Sequence, residues 1–278
     1  MTTVPNPEAI TTWYDAYVFD LDGTIYLGDE LLPGARELID TLRQHEIPVR
    51  FLSNNPTKSP HMYVEKLAGL GIDAPIETIA NTVVTMTRWL QTHHPGATVF
   101  PIAEAPLVEA LDAAGIRMSS DPTEIDIVIA SYDRAFTYEK LQIAFDAIWF
   151  HRRAILVATN PDRYCPFPGG RGEPDCAAII AAIEACTGVT CDTIVGKPNP
   201  ITIHESLRGL DIPFERCVMV GDRLGTDIKM AVNTGMKSAL VLTGDSDLAD
   251  VETCDPGDRP TWIIERIDDL IPVNIRPT

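Results

Sequence analysis

The chain has 278 residues, a formal net charge of −18 and an apolar fraction of 45%, enough for one large folded domain or two of ordinary size. The acidic balance argues against nucleic-acid binding, which needs a basic surface, and any phosphate site must be locally positive. No apolar run approaches the length of a membrane span. From the charge and the lack of such a run, we expect neither a nucleic acid nor a membrane as partner.

The first part of the chain predicts alternating strands and helices. Apolar residues 16–19 predict a buried strand, and residues 35–42 repeat apolar side chains at helical spacing. Residues 49–52 predict a second strand, and a second helix opens at Pro60.

The middle of the chain carries its own strands and helices. The predicted elements are strands at 98–100, 127–130 and 155–158, and helices at 107–114 and 138–150. They are sufficient for a second α/β domain inserted into the first. We expect Phe145, Trp149 and Phe150 to pack in the core of this domain.

The last part returns to the first pattern, with a helix from Pro200 and apolar strands at 217–220 and 239–242. Fully apolar strands that alternate with helices predict a parallel sheet covered on both faces. The predicted fold class is therefore α/β, with a doubly wound parallel-sheet core. We assign residues 1–82 and 189–278 to the core, and residues 83–188 to the inserted α/β domain.

Asp20 and Asp22 follow the first predicted strand. Because side chains alternate along a strand, both carboxylates lie on one side, where they repel unless a cation or a shared proton intervenes. The pattern is typical of a metal-assisted site in which Asp20 is the nucleophile and Asp22 the general acid/base. The alternative is a structural pair of aspartates in a turn.

Two polar clusters at later strand ends could bind phosphate, because open α/β sheets bind ligands at the carboxyl ends of their strands. Ser53 and Asn54 offer a hydroxyl and an amide or backbone N–H, although they are also ordinary turn residues. Lys197 could neutralise charge on the nucleophile and on the phosphoryl group. Its alternative is a solvated loop position.

A third cluster, Asp222 with Asp227, follows the apolar strand 217–220. Asp222 is a candidate Mg²⁺ ligand, and Asp227 could act behind it on a bound water or on Lys197. Asp227 could instead stabilise a helix N-terminus. Three aspartates and a phosphate dianion face only one lysine, so we expect Mg²⁺ dependence.

These motifs resemble those of the haloacid dehalogenase (HAD) superfamily of phosphotransferases. In order, they are DLDGT at 20–24, SNN at 53–55, GKP at 196–198 and GDRLGTD at 221–227. More narrowly, the chain is similar to the NagD-like branch, which includes 4-nitrophenylphosphatases and phosphoglycolate phosphatases. The segments that carry this narrower resemblance are 20–28, 136–141 and 158–162.

The resemblance implies a Rossmann-like core with a large inserted cap of the C2 type. It implies that Asp20 is phosphorylated, and that Mg²⁺ is held by the Asp20 carboxylate, the Asp22 main-chain carbonyl and Asp222. Members of the group often form dimers through their caps, which makes a homodimer through the cap one assembly to expect.

The cap segment that would face the active site departs from the small residues frequent in the family. It carries Arg171, Glu173 and Asp175, whose charges could select the substrate. The alternative is a solvated, mobile loop.

The expected function is Mg²⁺-dependent hydrolysis of a small phosphate monoester through an aspartyl-phosphate. Candidate substrates are a sugar phosphate, a glycerol phosphate, phosphoglycolate and a nucleoside monophosphate. The alternatives are a phosphotransferase or phosphomutase, and a non-catalytic ligand-binding module. Six cysteines without CxxC or zinc spacing, and no signal-like segment in residues 1–16, predict a cytoplasmic location.

Overall fold

The computed structural model describes residues 10–167 and 170–276, in which strands and helices alternate along the chain. The strands are β1 (Ala16–Asp20), β2 (Tyr26–Leu27), β3 (Glu30–Leu31), β4 (Val49–Ser53), β5 (Ile79–Asn81), β6 (Val99–Ile102), β7 (Ile127–Ala130), β8 (Ile155–Ala158), β9 (Tyr164–Phe167), β10 (Arg171–Pro174), β11 (Thr193–Ile194), β12 (Cys217–Gly221), β13 (Lys237–Val241) and β14 (Trp262–Ile264). The α-helices are α1 (Ala35–Gln44), α2 (Pro60–Gly69), α3 (Thr82–His93), α4 (Ala105–Ala113), α5 (Tyr138–Phe145), α6 (Cys176–Thr187), α7 (Pro200–Ser206), α8 (Lys229–Thr234) and α9 (Leu248–Thr253). Among the described residues, every helix falls short of the length and apolar content needed to cross a bilayer.

The chain divides into two compact units. The first contains Met1–Ser53, Val64–Ala80 and Ile203–Thr278, and the second contains Asn54–Tyr63 and Asn81–Thr202. These bounds differ from the predicted core and cap in residues 54–63, 81–82 and 189–202, and the domain assignment stays a prediction. Two segments lie partly outside the described residues. One is the start of the chain, and the other is the cap segment 168–176 with Arg171, Glu173 and Asp175, of which Pro168 and Gly169 are not described.

The first unit is built on a six-stranded sheet in the order β14-β13-β12-β1-β4-β5. The neighbouring strands from β14 to β4 pair in parallel, as the apolar runs predict. Every residue of β12 is buried, and helix α1 buries the apolar stripe from Ala35 to Leu42. Because β4 and β12 lie on opposite sides of β1, the carboxyl end of β1 is a topological switch point, where such sheets bind ligands.

The second unit contains a parallel sheet in the order β11-β8-β7-β6. Strand β7 is buried on both faces: Val128 packs in one apolar cluster with α6, and Ile129 packs in another with α3 and α4. A separate antiparallel hairpin joins β9 to β10. The predicted α/β class is therefore confirmed in both units.

The expectation for the aromatic residues after α5 is wrong in part. Trp149 is 51% exposed and Phe150 is 67% exposed. Helix α5 continues as a π-type turn over Asp146–Phe150, which buries Ala147 and Ile148. The next two positions then fall on the outer face, where Trp149 stacks on Phe145 with ring centroids 5.1 Å apart.

Candidate active site

The carboxyl ends of three neighbouring strands carry predicted site residues of the first unit. Asp20 is the last residue of β1 and lies opposite Leu52 of β4, so Ser53 extends one position beyond it. On the other side of β1, Asp222 directly follows the last residue of β12. Parallel strand order therefore places Asp20, Ser53 and Asp222 at the switch point of the sheet.

Three carboxylates form a compact group at this edge. One oxygen each of Asp20, Asp222 and Asp227 lies within 4.8 Å of the other two. Asp222 and Asp227 are buried, and Asp20 is partly buried. The carboxylate of Asp22, in contrast, is outside this group, and its residue is exposed.

Asp222 is fixed by a loop that the sequence analysis did not single out. The Asp245 N–H donates to Oδ2 of Asp222 (2.8 Å), and the Ser246 N–H donates to the Asp222 carbonyl (3.0 Å). Gly23 lies against the same carboxylate with φ +84°, and a Cβ there would be 2.5 Å from Oδ2. The sequence signal for this loop is the polar run at 243–246 directly after the apolar strand β13.

Asp227 is oriented by its own turn. The backbone N–H of Arg223 donates to Oδ2 of Asp227 (3.2 Å), and the Asp227 N–H donates back to the Arg223 carbonyl (3.1 Å). A π-type turn over Leu224–Ile228 carries the residue. The structure thus places Asp227 next to Asp20 and Asp222, and its expected role behind the metal ligands stays a prediction.

The residues present fit a divalent cation. Three carboxylates this close repel one another, and a bound cation offsets that cost. A donor set made only of carboxylate oxygens suits a hard ion such as Mg²⁺.

Asn54 and Lys197 belong to the second unit, where they contact each other. The Lys197 N–H donates to Oδ1 of Asn54 (2.8 Å), and Nδ2 of Asn54 donates to the Lys197 carbonyl (3.1 Å). The same Nδ2 donates to Oδ2 of Asp162 (3.2 Å). The amide of Asn54, which the sequence suggested for phosphate, is thus engaged within the protein.

The charged cap residues are largely built into secondary structure. Asp175 is buried and caps α6 by accepting from the Cys176 N–H (2.6 Å). Glu173 of β10 accepts from the Tyr132 hydroxyl (2.5 Å) and pairs with Nε of Arg134 (3.2 Å). Burial, and then the hydrogen bond to Glu173, raise the pKa of Tyr132.

Arg171 differs from its two charged neighbours because it is exposed. It lines an open concavity of about 430 Å³ on the β9–β10 hairpin, together with Arg163, Tyr164 and Glu173. Arg171–Pro174 forms strand β10 and Asp175 caps a helix, so these residues lie in or next to regular structure.

Known proteins match this chain over most of its length. A family model of haloacid dehalogenase-like hydrolases matches residues 17–117, and a second model of HAD-like hydrolases matches residues 194–270. The acid sugar phosphatase of Staphylococcus aureus is 36% identical over 240 residues, which cover 86% of this chain and 90% of that protein.

Solved structures agree with the sequence matches. The 4-nitrophenylphosphatase of Thermotoga maritima superposes with a TM-score of 0.86 at 33% identity, covering 92% of this chain and 96% of that one. NagD of E. coli K-12 superposes with a TM-score of 0.82 at 27% identity, covering 92% and 98%.

The fold, the carboxylate group at the switch point and these matches define the class: the chain belongs to the haloacid dehalogenase-like hydrolases. Within that family it lies in the NagD-like branch, and it is a phosphoric monoester hydrolase. The family resemblance read from the sequence motifs is thereby confirmed.

Proposed function

We propose that this enzyme is a Mg²⁺-dependent phosphatase that hydrolyses a sugar phosphate or a similar small phosphate monoester through an aspartyl-phosphate on Asp20. The observation that carries the proposal is the group formed by Asp20, Asp222 and Asp227 at the end of β1. The name of the Staphylococcus aureus relative, an acid sugar phosphatase, favours the sugar phosphates among the candidate substrates.

In the first step, a carboxylate oxygen of Asp20 attacks phosphorus, and the bond from phosphorus to the ester oxygen breaks. Asp22 donates a proton to the leaving oxygen, which departs as an alcohol. In the second step Asp22 takes a proton from water, whose oxygen attacks phosphorus and releases orthophosphate from Asp20. The exposed position of Asp22 outside the carboxylate group suits a residue that exchanges protons.

The metal would be held by the carboxylates of Asp20 and Asp222 and by the main-chain carbonyl of Asp22, with Asp227 beside them. When bound, Mg²⁺ would neutralise charge that otherwise sets the phosphate dianion against the carboxylates. Ser53 Oγ, the backbone N–H of Asn54 and the Lys197 ammonium would bind the phosphate oxygens. The Asn54 amide is omitted from this set because its donor and acceptor atoms already have partners.

The proposal is tested by a phosphate-release screen over sugar phosphates, glycerol phosphates, phosphoglycolate and nucleoside monophosphates, in Mg²⁺ and in EDTA. We expect turnover only in Mg²⁺, with the highest kcat/KM on a sugar phosphate. Equal rates in EDTA would contradict the metal assignment. Adding an acceptor alcohol separates hydrolysis from phosphotransfer, since a phosphotransferase or phosphomutase would form a new ester in place of orthophosphate.

We also propose a cytoplasmic location. All six cysteines lie among the described residues, and none of them forms a disulfide there, as expected of a reducing compartment. Cell fractionation of the native source checks this location. A homodimer through the cap stays a prediction, which light scattering of the purified protein would test.

A further inference from the structure

The side chain of Asn54 makes a two-point contact with the main chain of Lys197. Oδ1 accepts from the Lys197 N–H, and Nδ2 donates to the carbonyl of the same residue. Asn54 is 8% exposed and Lys197 is 2% exposed, so both hydrogen bonds are shielded from water. A buried amide paired in this way holds the lysine backbone much as a neighbouring strand would.

Asp162 adds a third contact that favours the same orientation of this amide. Its Oδ2 accepts the second contact from Nδ2 of Asn54 (3.2 Å). If the amide were flipped, the oxygen of Asn54 would face the Lys197 carbonyl and the Asp162 carboxylate, and its nitrogen would face an N–H. Each contact would then become repulsive, so only one orientation satisfies the site.

The surroundings leave the clamp, formed by Asn54 and the Lys197 main chain, little room to shift. A Cβ on Gly196 would lie 2.5 Å from the Thr159 carbonyl and 2.8 Å from Oδ1 of Asn54. The Asn54 carbonyl accepts from the Thr82 hydroxyl (2.8 Å) and from Nδ2 of Asn160 (3.2 Å). Both sides of the clamp are therefore fixed by close packing and by further hydrogen bonds.

We propose that the Asn54 side chain is a positioning residue that acts through Lys197 and does not itself contact the phosphate. The proposal rests on the proposed function, in which the Lys197 ammonium binds the phosphoryl group. A long lysine side chain has many rotamers, and fixing its main chain reduces the conformations in which the ammonium misses the phosphate.

A double-mutant cycle of Asn54→Ala and Lys197→Ala tests this role. Asn54→Ala keeps the backbone N–H of residue 54, and we expect it to lower kcat/KM by about tenfold to a hundredfold because the lysine is misplaced. In the Lys197→Ala background the same change should lower kcat/KM by less than about threefold. If the amide contacted phosphate directly, the two losses would multiply, and the proposal would be overturned.

For stability we expect additive effects, in contrast to the coupled effects on kcat/KM. This difference separates a positioning role from a role in folding alone. Lys197→Ala retains the main-chain groups that Asn54 holds, so Asn54→Ala should lower the denaturation midpoint equally in both backgrounds. Coupling in kcat/KM together with additivity in the midpoint is specific to the proposed role. A midpoint that Asn54→Ala leaves unchanged would show that the clamp does not form.

Asn55→Ala is the matched control, because it removes a second amide from the same loop. Oδ1 of Asn55 accepts from the N–H and hydroxyl of Thr57, and any loss from its removal should multiply with that of Lys197→Ala. If Asn54→Ala does not fold, Asp162→Ala replaces it: both Lys197 contacts remain while the amide loses its third contact, and a smaller loss in kcat/KM with the same coupling to Lys197→Ala is expected. Failure of the wild type to hydrolyse any ester would instead refute the proposed function, and the stability cycle would still report on the clamp.

Discussion

Asp20 and Asp22 are two residues apart but differ in their surroundings. We therefore expect their substitution by asparagine to have different effects on stability. Asp20→Asn removes both the proposed nucleophile and one of three mutually repelling charges. We therefore expect loss of turnover by at least about a thousandfold, together with a higher melting temperature in EDTA. Calorimetry and the phosphate-release assay measure the two effects.

Asp22→Asn is the control for that experiment. Asp22 is exposed and outside the carboxylate group, so its substitution should also abolish turnover but leave the melting temperature in EDTA almost unchanged. A gain in melting temperature as large as that of Asp20→Asn would contradict the distinction between a clustered nucleophile and a separate proton donor.

Cys176, at the start of α6, links burial to alkaline stability. Burial raises the pKa of its thiol to about 12 from the ordinary value of 9.0. Between these values the unfolded chain has lost the proton that the folded chain keeps, so stability falls as pH rises from 9 towards 12. The slope from this thiol is about 1.4 kcal/mol per pH unit.

Cys176→Ala should flatten the fall above pH 9 by that slope, measured as denaturant midpoints at several pH values. Cys186→Ala is the control, since it removes an exposed thiol from the same helix. An equal slope in the wild type and in Cys176→Ala would show that this thiol does not titrate on unfolding.

At the scale of elements, the sequence predicted the buried strands of the core sheet but not helix α6 or the β9–β10 hairpin. Strands β1 and β12 are apolar up to their last residue, and β4 is mostly apolar, so their positions and the convergence of Asp20 with Asp222 followed from the pattern alone. Helix α6 is apolar on nearly every side and has no clear helical period. The hairpin has exposed strands without alternation, so no periodicity marked it.

Individual side-chain partners were also beyond the sequence. Nothing in the Ser-Asn-Asn turn indicates that the Asn54 amide meets Lys197, which lies 143 positions away. The three-aspartate group was only partly anticipated, because the turn that brings Asp227 to Asp20 and Asp222 is a π-type turn. Periodicity arguments assume regular helices and do not predict such a turn.

The hairpin of β9 and β10 depends on a contact from outside it, between Glu173 and Tyr132. Tyr132→Phe removes a hydroxyl that donates to the Glu173 carboxylate. We expect a loss of about 1 kcal/mol in stability and faster hydrogen exchange in 164–174, because the hairpin loses a hydrogen bond to the segment that follows β7 in the same unit. Tyr138→Phe is the control, since Tyr138 is 80% exposed. Unchanged exchange in Tyr132→Phe would mean that Arg134 alone holds Glu173.

At the scale of the whole molecule, the net charge of −18 opposes the approach of a phosphate dianion. The Debye length, the distance over which salt screens this field, is about 30 Å at 0.01 M and about 8 Å at 0.15 M. The repulsion therefore reaches less far into solvent at the higher ionic strength. Contacts inside the site are screened much less, because buried groups are shielded from ions. Raising the ionic strength at fixed free Mg²⁺ should therefore increase kcat/KM for an anionic substrate.

The increase should be steeper for a sugar bisphosphate than for glycerol phosphate, since the repulsion grows with the charge of the substrate. Initial rates at low substrate concentration, at ionic strengths between about 0.01 and 0.15 M, measure this dependence. A fall in kcat/KM with salt for both substrates would mean that a positive field around Lys197 extends into solvent and outweighs the acidic surface. The local positive field would then attract the substrate to the site, although the net charge of the chain is negative.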